Sequence, residues 1–165
     1  NNYDLKFESV SKNICKEQIL SFEFFNLLFK LNSESIKIFK PIESISENKK
    51  IYLIIFNPII KDFGMNEKYL LLSTELLKDN NKVLFKSSSI DYENDKIFKK
   101  YNINKKNKIS CSDSLMKVSL IENKLTLNYN FNFDINEDLP IFLENIMGLL
   151  IKKIFFNLKI FIDSL

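Results

Sequence analysis

Leu125-Thr126-Leu127-Asn128-Tyr129-Asn130-Phe131-Asn132-Phe133-Asp134 alternates apolar and polar residues without exception. A period of two is the mark of a strand with one dry face and one wet face. A short break follows, with Asn136 and Asp138 as candidate helix caps and Pro140 in the first turn, where its missing N–H costs nothing. Beyond it Phe142, Ile146, Leu150, Ile154, Leu158 and Ile162 recur every four residues, with Leu143, Met147, Phe155 and Leu165 beside them. Asn145, Lys152, Lys159 and Asp163 collect on the opposite side. This spacing predicts an amphipathic helix of about 26 residues, roughly 39 Å long. So wide an apolar face needs a large dry surface to lie on, and strands upstream supply it.

Working outward, Tyr3, Leu5, Phe7 and Val10 predict a first short strand. Asn13 is placed to cap a helix holding Ile19, Leu20, Phe22, Phe25, Leu27, Leu28 and Leu31, which should break near Asn26 because its middle is apolar on all sides. Strand-like runs follow at residues 36–45, 51–56, 69–77, 83–90, 115–121 and 125–133. Their links carry turn residues: Ser46-Glu47-Asn48, Lys78-Asp79-Asn80-Asn81 and Glu122-Asn123. Short links join antiparallel neighbours. The order strand, helix, six meandering strands, helix reads as an α+β domain with a curved antiparallel sheet. Two links are longer. Residues 57–67 hold Pro58 and Gly64 but also Ile59, Ile60, Phe63 and Met65, so this loop packs onto the body or touches something apolar outside it. Residues 91–110 carry Lys96, Lys99, Lys100, Lys105, Lys106 and Lys108 and read as a solvated, partly disordered loop, with docking on an anionic membrane surface as the sharper alternative.

Composition narrows the function classes. The chain has 165 residues, 45% hydrophobic and 27% charged, in the range of one globular domain with a sizeable core. Its net charge of +3 is mild and every basic residue is Lys. Without the bidentate fork of Arg, sequence-specific nucleic-acid reading is not expected. His is absent, which removes the commonest general base and metal ligand; no metal site, cofactor or catalytic residue is assigned. Only Gly64 and Gly148 occur, so there is no glycine-rich phosphate loop. Cys15 and Cys111 fit neither a disulfide framework nor a metal site, and point to a reducing, cytoplasmic location. No signal-peptide pattern opens the chain. Lys152 and Lys153 sit mid-helix, where each would cost about 2.5–3.5 kcal/mol in a bilayer, so no membrane span is predicted.

With these elements in order, the chain resembles the StAR-related lipid transfer (START) domain and its helix-grip relatives. The resemblance rests on DINEDLPIFLENIMGLLIKKIFFNLKIFI from Asp134 to Ile162, NEKYLLLSTELLKDNNKVLFKSSSI from Asn66 to Ile90, KIFKPIESISENKKIYLIIFNPI from Lys37 to Ile59, and CKEQILSFEF from Cys15 to Phe24. It departs from the family at Lys68, where an acidic residue is usual, and in showing none of the family's opening helix and first two strands. The resemblance implies a helix-grip fold over residues 1–165, a sheet wrapped around the last helix, and an apolar cavity between them. It also implies binding, and intermembrane transfer, of a phospholipid, sterol or similar ligand. Membrane contact is then transient and peripheral, no nucleic acid is involved, and the oligomeric state is left open.

The dry strand faces nominate Leu53, Ile55, Leu70, Leu72, Phe85, Met116, Val118, Leu127, Tyr129 and Phe131 as lining, and the helix adds Phe142, Ile146, Met147, Leu150 and Ile154. Thr74 and Ser87, on the same phase, and the Tyr129 phenol are headgroup candidates, since a buried polar group of a ligand needs a partner. Ile59, Ile60, Phe63 and Met65 correspond to the family's gate loop. Two rival functions stay open: a protein-interaction module with a filled core, and a START-like cyclase or hydratase.

Overall fold

The computed structural model describes residues 2–58, 65–136, 138, 141 and 145–165. Ile59, Ile60, Phe63, Pro140, Phe142 and Leu143, all singled out above, lie outside them. Eight strands are described: β1 Asn2–Val10, β2 Ile36–Ser46, β3 Lys49–Phe56, β4 Lys68–Asp79, β5 Lys82–Ser89, β6 Ser110–Cys111, β7 Ser114–Ile121 and β8 Lys124–Asp134. Four α-helices accompany them: α1 Lys16–Ile19, α2 Glu23–Leu31, α3 Asp95–Lys100 and α4 Ile146–Asp163. The sheet runs β1-β8-β7-β5-β4-β3-β2, with β6 paired to the end of β8, and every neighbouring pair is antiparallel. The predicted meander is therefore present, and β1 joins it beside the last strand.

Turn chemistry sets the registers. Ile121 pairs with Lys124 across Glu122 and Asn123, whose φ values of 50° and 66° are those a two-residue type I′ turn requires. Asp79 pairs with Lys82 around Asn80, at φ 45°. The edge strand β2 is interrupted by three register shifts around Pro41, as befits a strand with only one partner.

Alternation along β4, β5, β7 and β8 turns Leu70, Leu72, Phe85, Met116, Val118, Leu127 and Phe131 inward, where α2 and α4 cover them. From α4, Ile146, Met147, Ile151, Ile154, Phe155, Leu158 and Ile162 are buried, while Leu150 is half-buried. Burial of an aliphatic or aromatic side chain is worth about 1.5–3 kcal/mol, so these seven contribute on the order of 10–20 kcal/mol before entropy. Asn32, just past α2, pins the two helices: its amide donates to the carbonyls of Leu28 (2.8 Å) and Ile154 (3.2 Å), and its carbonyl oxygen accepts from Asn157 (2.8 Å).

Four helix-level expectations are corrected. The first helical stretch breaks at Leu20–Phe22, not near Asn26, because one turn packs Ile19 before the chain re-enters a helix that buries Phe24, Leu27 and Leu28. Asn13 does not cap it; its amide donates instead to the Leu165 carbonyl at 2.6 Å, tying down the end of the chain. The last helix starts at Ile146, after Asn145, and its 18 residues make it about 27 Å long rather than 39 Å. Asn136 is a turn residue at φ 54° whose amide reaches the Lys108 carbonyl and the Ser110 hydroxyl, both at 3.0 Å, and Asp138 lies outside any helix. Among the described residues no helix is long and apolar enough to cross a membrane.

Residues 91–110 are the largest correction. They form α3, a 3-10 turn at Lys105–Asn107 and β6, and they close over the outer face of the sheet. Phe98 is buried there against Leu53, Ile55, Tyr69 and Leu71. The Asn94 side chain accepts from the Ile97 N–H, the Tyr69 hydroxyl donates to the Lys105 carbonyl at 3.3 Å, and the Ile109 N–H donates to the Tyr69 carbonyl at 2.7 Å. A lysine-rich stretch was folded by a handful of apolar residues spaced to meet a second dry surface.

Two stability measurements check this packing. A Cβ on Gly148 would sit 2.3 Å from the Tyr3 ring, which is stacked on Phe131 at 5.2 Å. Gly148→Ala should therefore destabilise, overpacking of about 1–3 kcal/mol outweighing a helix-propensity gain of about 1 kcal/mol. In a Tyr3→Ala background the same change should become stabilising by about 1 kcal/mol in urea unfolding. Phe98→Ala should cost about 3 kcal/mol if α3 is packed as described, and almost nothing if residues 91–110 were a solvated loop.

Candidate functional site

Between the inner face of the sheet and helices α2 and α4 lies a small apolar pocket of about 80 Å³. Its floor is Ile54 and Phe56 of β3, Leu70 and Leu72 of β4, Met116 of β7, and Tyr129 and Phe133 of β8. Its roof is Leu28 of α2 with Ile151, Ile154 and Phe155 of α4. Phe25 and Phe29 of α2 with Ile36 and Phe39 of β2 close one side. Phe39 stacks on Tyr52 at 4.8 Å and on Phe29 at 5.6 Å, and Phe25 meets Phe85 edge-on at 4.9 Å. Phe25, Phe29 and Phe39 are only half-buried, so this aromatic wall lies between the pocket's interior and the surface.

Of the nominated lining, Leu70, Leu72, Met116, Tyr129 and Ile154 reach the void. Phe85, Val118, Leu127, Phe131, Ile146 and Met147 are buried on the same inner face but pack around it, with half-buried Leu150 against them. Leu53 and Ile55 are a correction: they point to the outer face, into the cluster under α3. The run Ile51 to Phe56 is apolar throughout, so alternation assigns it no phase. The pairing of Ile54 with Leu70 sets that phase, and it turns Tyr52, Ile54 and Phe56 inward. The aromatic wall, Leu28, Ile54, Phe56, Phe133, Ile151 and Phe155 were not nominated; for the helices the signals were the apolar face of α2 and the spacing of Ile151 four residues after Met147 and three before Ile154.

The polar candidates sit beyond Leu72. Thr74 and Ser87 are buried and hydrogen-bond each other at 2.9 Å, and the Ser114 hydroxyl donates to the Ser87 carbonyl at 3.2 Å. The Tyr129 phenol borders the void; burial pushes its pKa well above the ordinary phenol range, so it stays protonated and able to donate. Burial likewise raises the Cys111 thiol to about 11, with the Ser114 hydroxyl pulling the other way. Met65, alone of the gate-loop candidates among the described residues, is buried in the main core. Lys68, fully buried at the start of β4 opposite Phe56, shares the inward phase. No group of three or more potential metal ligands occurs among the described residues. The larger depressions, of about 440 and 510 Å³, are open clefts on the outer face among Lys78, Lys82 and Lys117 or Glu75, Lys86 and Asp113.

Compared with solved structures, this arrangement superimposes on the human StarD13 (DLC2) lipid transfer and protein localization domain over 99% of this chain and 78% of that one, with a TM-score of 0.73 and 13% identity. It matches human StAR-related lipid transfer protein 5 over 96% of this chain and 74% of that one, with a TM-score of 0.72 and 11% identity. The fold is START-like. A START superfamily protein from Mycobacterium smegmatis matches more loosely, at a TM-score of 0.54 and 9% identity over 99% of this chain and 97% of that one. No family model and no curated protein sequence matches the chain. At these identities the likeness is one of helix-grip architecture, a curved antiparallel sheet closed around its C-terminal helix.

The two thiols offer a check on the interior of this START-like fold. Cys15 is exposed and Cys111 buried, and neither is in a disulfide. At pH 8, one thiol per chain should react quickly with an aromatic disulfide reagent, and Cys15→Ser should abolish that phase. The Cys111 thiol should react only as fast as the protein unfolds. Two fast thiols would contradict the packing of β6 against β8.

Proposed function

We propose that the protein binds a lipid or similar apolar small molecule between its sheet and α4, without chemistry, and hands it between membranes during transient contacts. The observation that carries this reading is the void itself. Its lining is apolar except for the Tyr129 hydroxyl, and it lies at the gripping surface of a START-like fold. Each methylene moved from water to such a lining gains about 0.8 kcal/mol, so a single acyl chain suffices for tight binding. The Tyr129 phenol, with Thr74, Ser87 and the intervening row of hydroxyls, is the proposed partner of the ligand's polar end. A cytoplasmic setting, with both cysteines reduced, belongs to the same proposal.

The volume sets the mechanism. At about 80 Å³ the void is well below the roughly 300–1,000 Å³ of small-molecule sites, so entry requires the lining to move apart. The half-buried Phe25, Phe29 and Phe39 are the side chains with room to swing outward, and Met116 can adapt its shape to what enters. The same small volume favours one competing reading, a protein-interaction module whose core stays filled.

Solvent extraction of protein purified without detergent, followed by mass spectrometry, separates the two. Recovery of a lipid in stoichiometric amount supports binding, and an empty extract together with no uptake of a fluorescent fatty acid supports the filled module. Ile151→Phe, which projects a ring into the void, should weaken uptake about tenfold or more while leaving the far-ultraviolet circular dichroism unchanged.

A further inference from the structure

We infer that the outward face of α3 and the adjoining 3-10 turn form an electrostatic platform that docks the protein on an anionic bilayer. This deepens the membrane-contact part of the reading above, but it rests on different residues from the void. Its first support is where the charge lies. Residues 91–110 hold six lysines against three carboxylates, which accounts for the whole net +3 of the chain; the other 18 lysines are matched by 18 carboxylates.

The second support is geometry. Lys96, Lys99 and Lys100 stand at i, i+3 and i+4 on α3, hence on one helical face, and all are exposed. Phe98, on the opposite face, is the buried anchor. The acidic residues of the segment are already answered within it: Asp91 by Lys108, and Glu93 and Asp95 by Lys105 at 3.8 and 3.9 Å. Among the described residues no ion pair engages Lys96, Lys99, Lys100 or Lys106. The result is a cationic face on a rigid mount, not a solvated tail whose charges average out.

Its place in the fold is the third support. A cleft of about 350 Å³ separates Tyr101, Asn102, Ile103, Asn104 and Asn107 from Pro58, Met65 and Asn66. The platform therefore borders both ends of the apolar link whose sequence nominates it as a gate. The partner chemistry follows from the residues. Lysine ammonium groups are point charges that suit a disordered array of lipid phosphates and carboxylates, and the chain has no Arg to fork onto bases. The rings of the segment give a nucleic acid little to stack on, since Phe98 is buried and Tyr92 and Tyr101 are half-buried.

Co-sedimentation with phosphatidylcholine vesicles, with and without phosphatidylserine, tests the platform. The wild-type protein should bind only the anionic vesicles, and release them as salt rises from about 0.01 to about 1 M, which shortens the screening length from about 30 to about 3 Å. The triple variant Lys96→Gln, Lys99→Gln, Lys100→Gln should lose roughly 100-fold in affinity. The control Lys40→Gln, Lys78→Gln, Lys117→Gln, with the same net charge, should keep most of it. Equal loss in both triples, binding to neutral vesicles as tight as to anionic ones, or tighter binding to a single-stranded oligonucleotide would overturn the inference. Fluorescent fatty-acid uptake, read on the same samples, should be unchanged in the α3 triple. Vesicle binding without uptake in the wild type would sink the cavity reading and leave the platform standing.

Discussion

The contact between α4 and the inner face of the sheet is the constraint on which the rest of the molecule depends. Seven apolar side chains of that helix have no other place to go, and the strands that receive them come from both ends of the chain, β1 beside β8 and β3 and β4 from the middle. The sheet has to curve to meet a cylinder, and α2 has to fill what the single helix leaves uncovered. Asn32 shows how closely those pieces are matched. A buried amide with both donors on carbonyls of α2 and α4 and its oxygen on Asn157 constrains the placement of α2 against α4.

The void is a consequence of the same geometry. Flat rings and branched aliphatic chains pack well where Tyr129, Phe131 and Phe155 meet, with centroids 4.6 and 5.3 Å apart. Toward β2 and β3 the sheet pulls away from α4, and a wall of phenylalanines spans the gap without filling it. That region combines half-buried aromatic side chains of the pocket lining with an irregular edge strand carrying three register shifts. A fold that must open somewhere to admit a guest would open where the fewest contacts are lost, and this side fits that condition. The polar row from Thr74 through Ser87 to Ser114 lies deeper, so a guest entering tail-last would present its polar end to groups already hydrogen-bonded to one another.

The outer face carries a different kind of constraint. Antiparallel sheets commonly keep one wet face, yet β3 and β4 are dry on both. The stretch that covers them is also the most cationic in the chain, so one insertion between β5 and β7 both seals a hydrophobic patch and displays charge. Anchoring through Phe98 is what turns a run of lysines into a surface with a defined direction.

How much of this was legible without coordinates depends on the kind of signal. Strict alternation in β7 and β8, and the turn residues Glu122-Asn123 and Asp79-Asn80, were enough for strand identity, hairpin order and the inward phase of Leu127, Tyr129, Met116 and Val118. Those are local properties, because the pleat and the left-handed turn are decided within a few residues. The phase of Leu53 and Ile55 and the folding of residues 91–110 were not legible, and the two failures have one cause. A strand that is apolar on every side carries no phase of its own, and a polar stretch with one well-placed Phe carries no sign of the surface it will cover. Each becomes definite only when the other is present. The sequence alone therefore determined the order of strands and helices and the dry face of its regular strands. Tertiary structure decided which side of β3 faces α4, where the last helix begins, and how small a space remains between them, because those are settled by the fit of surfaces distant in the chain.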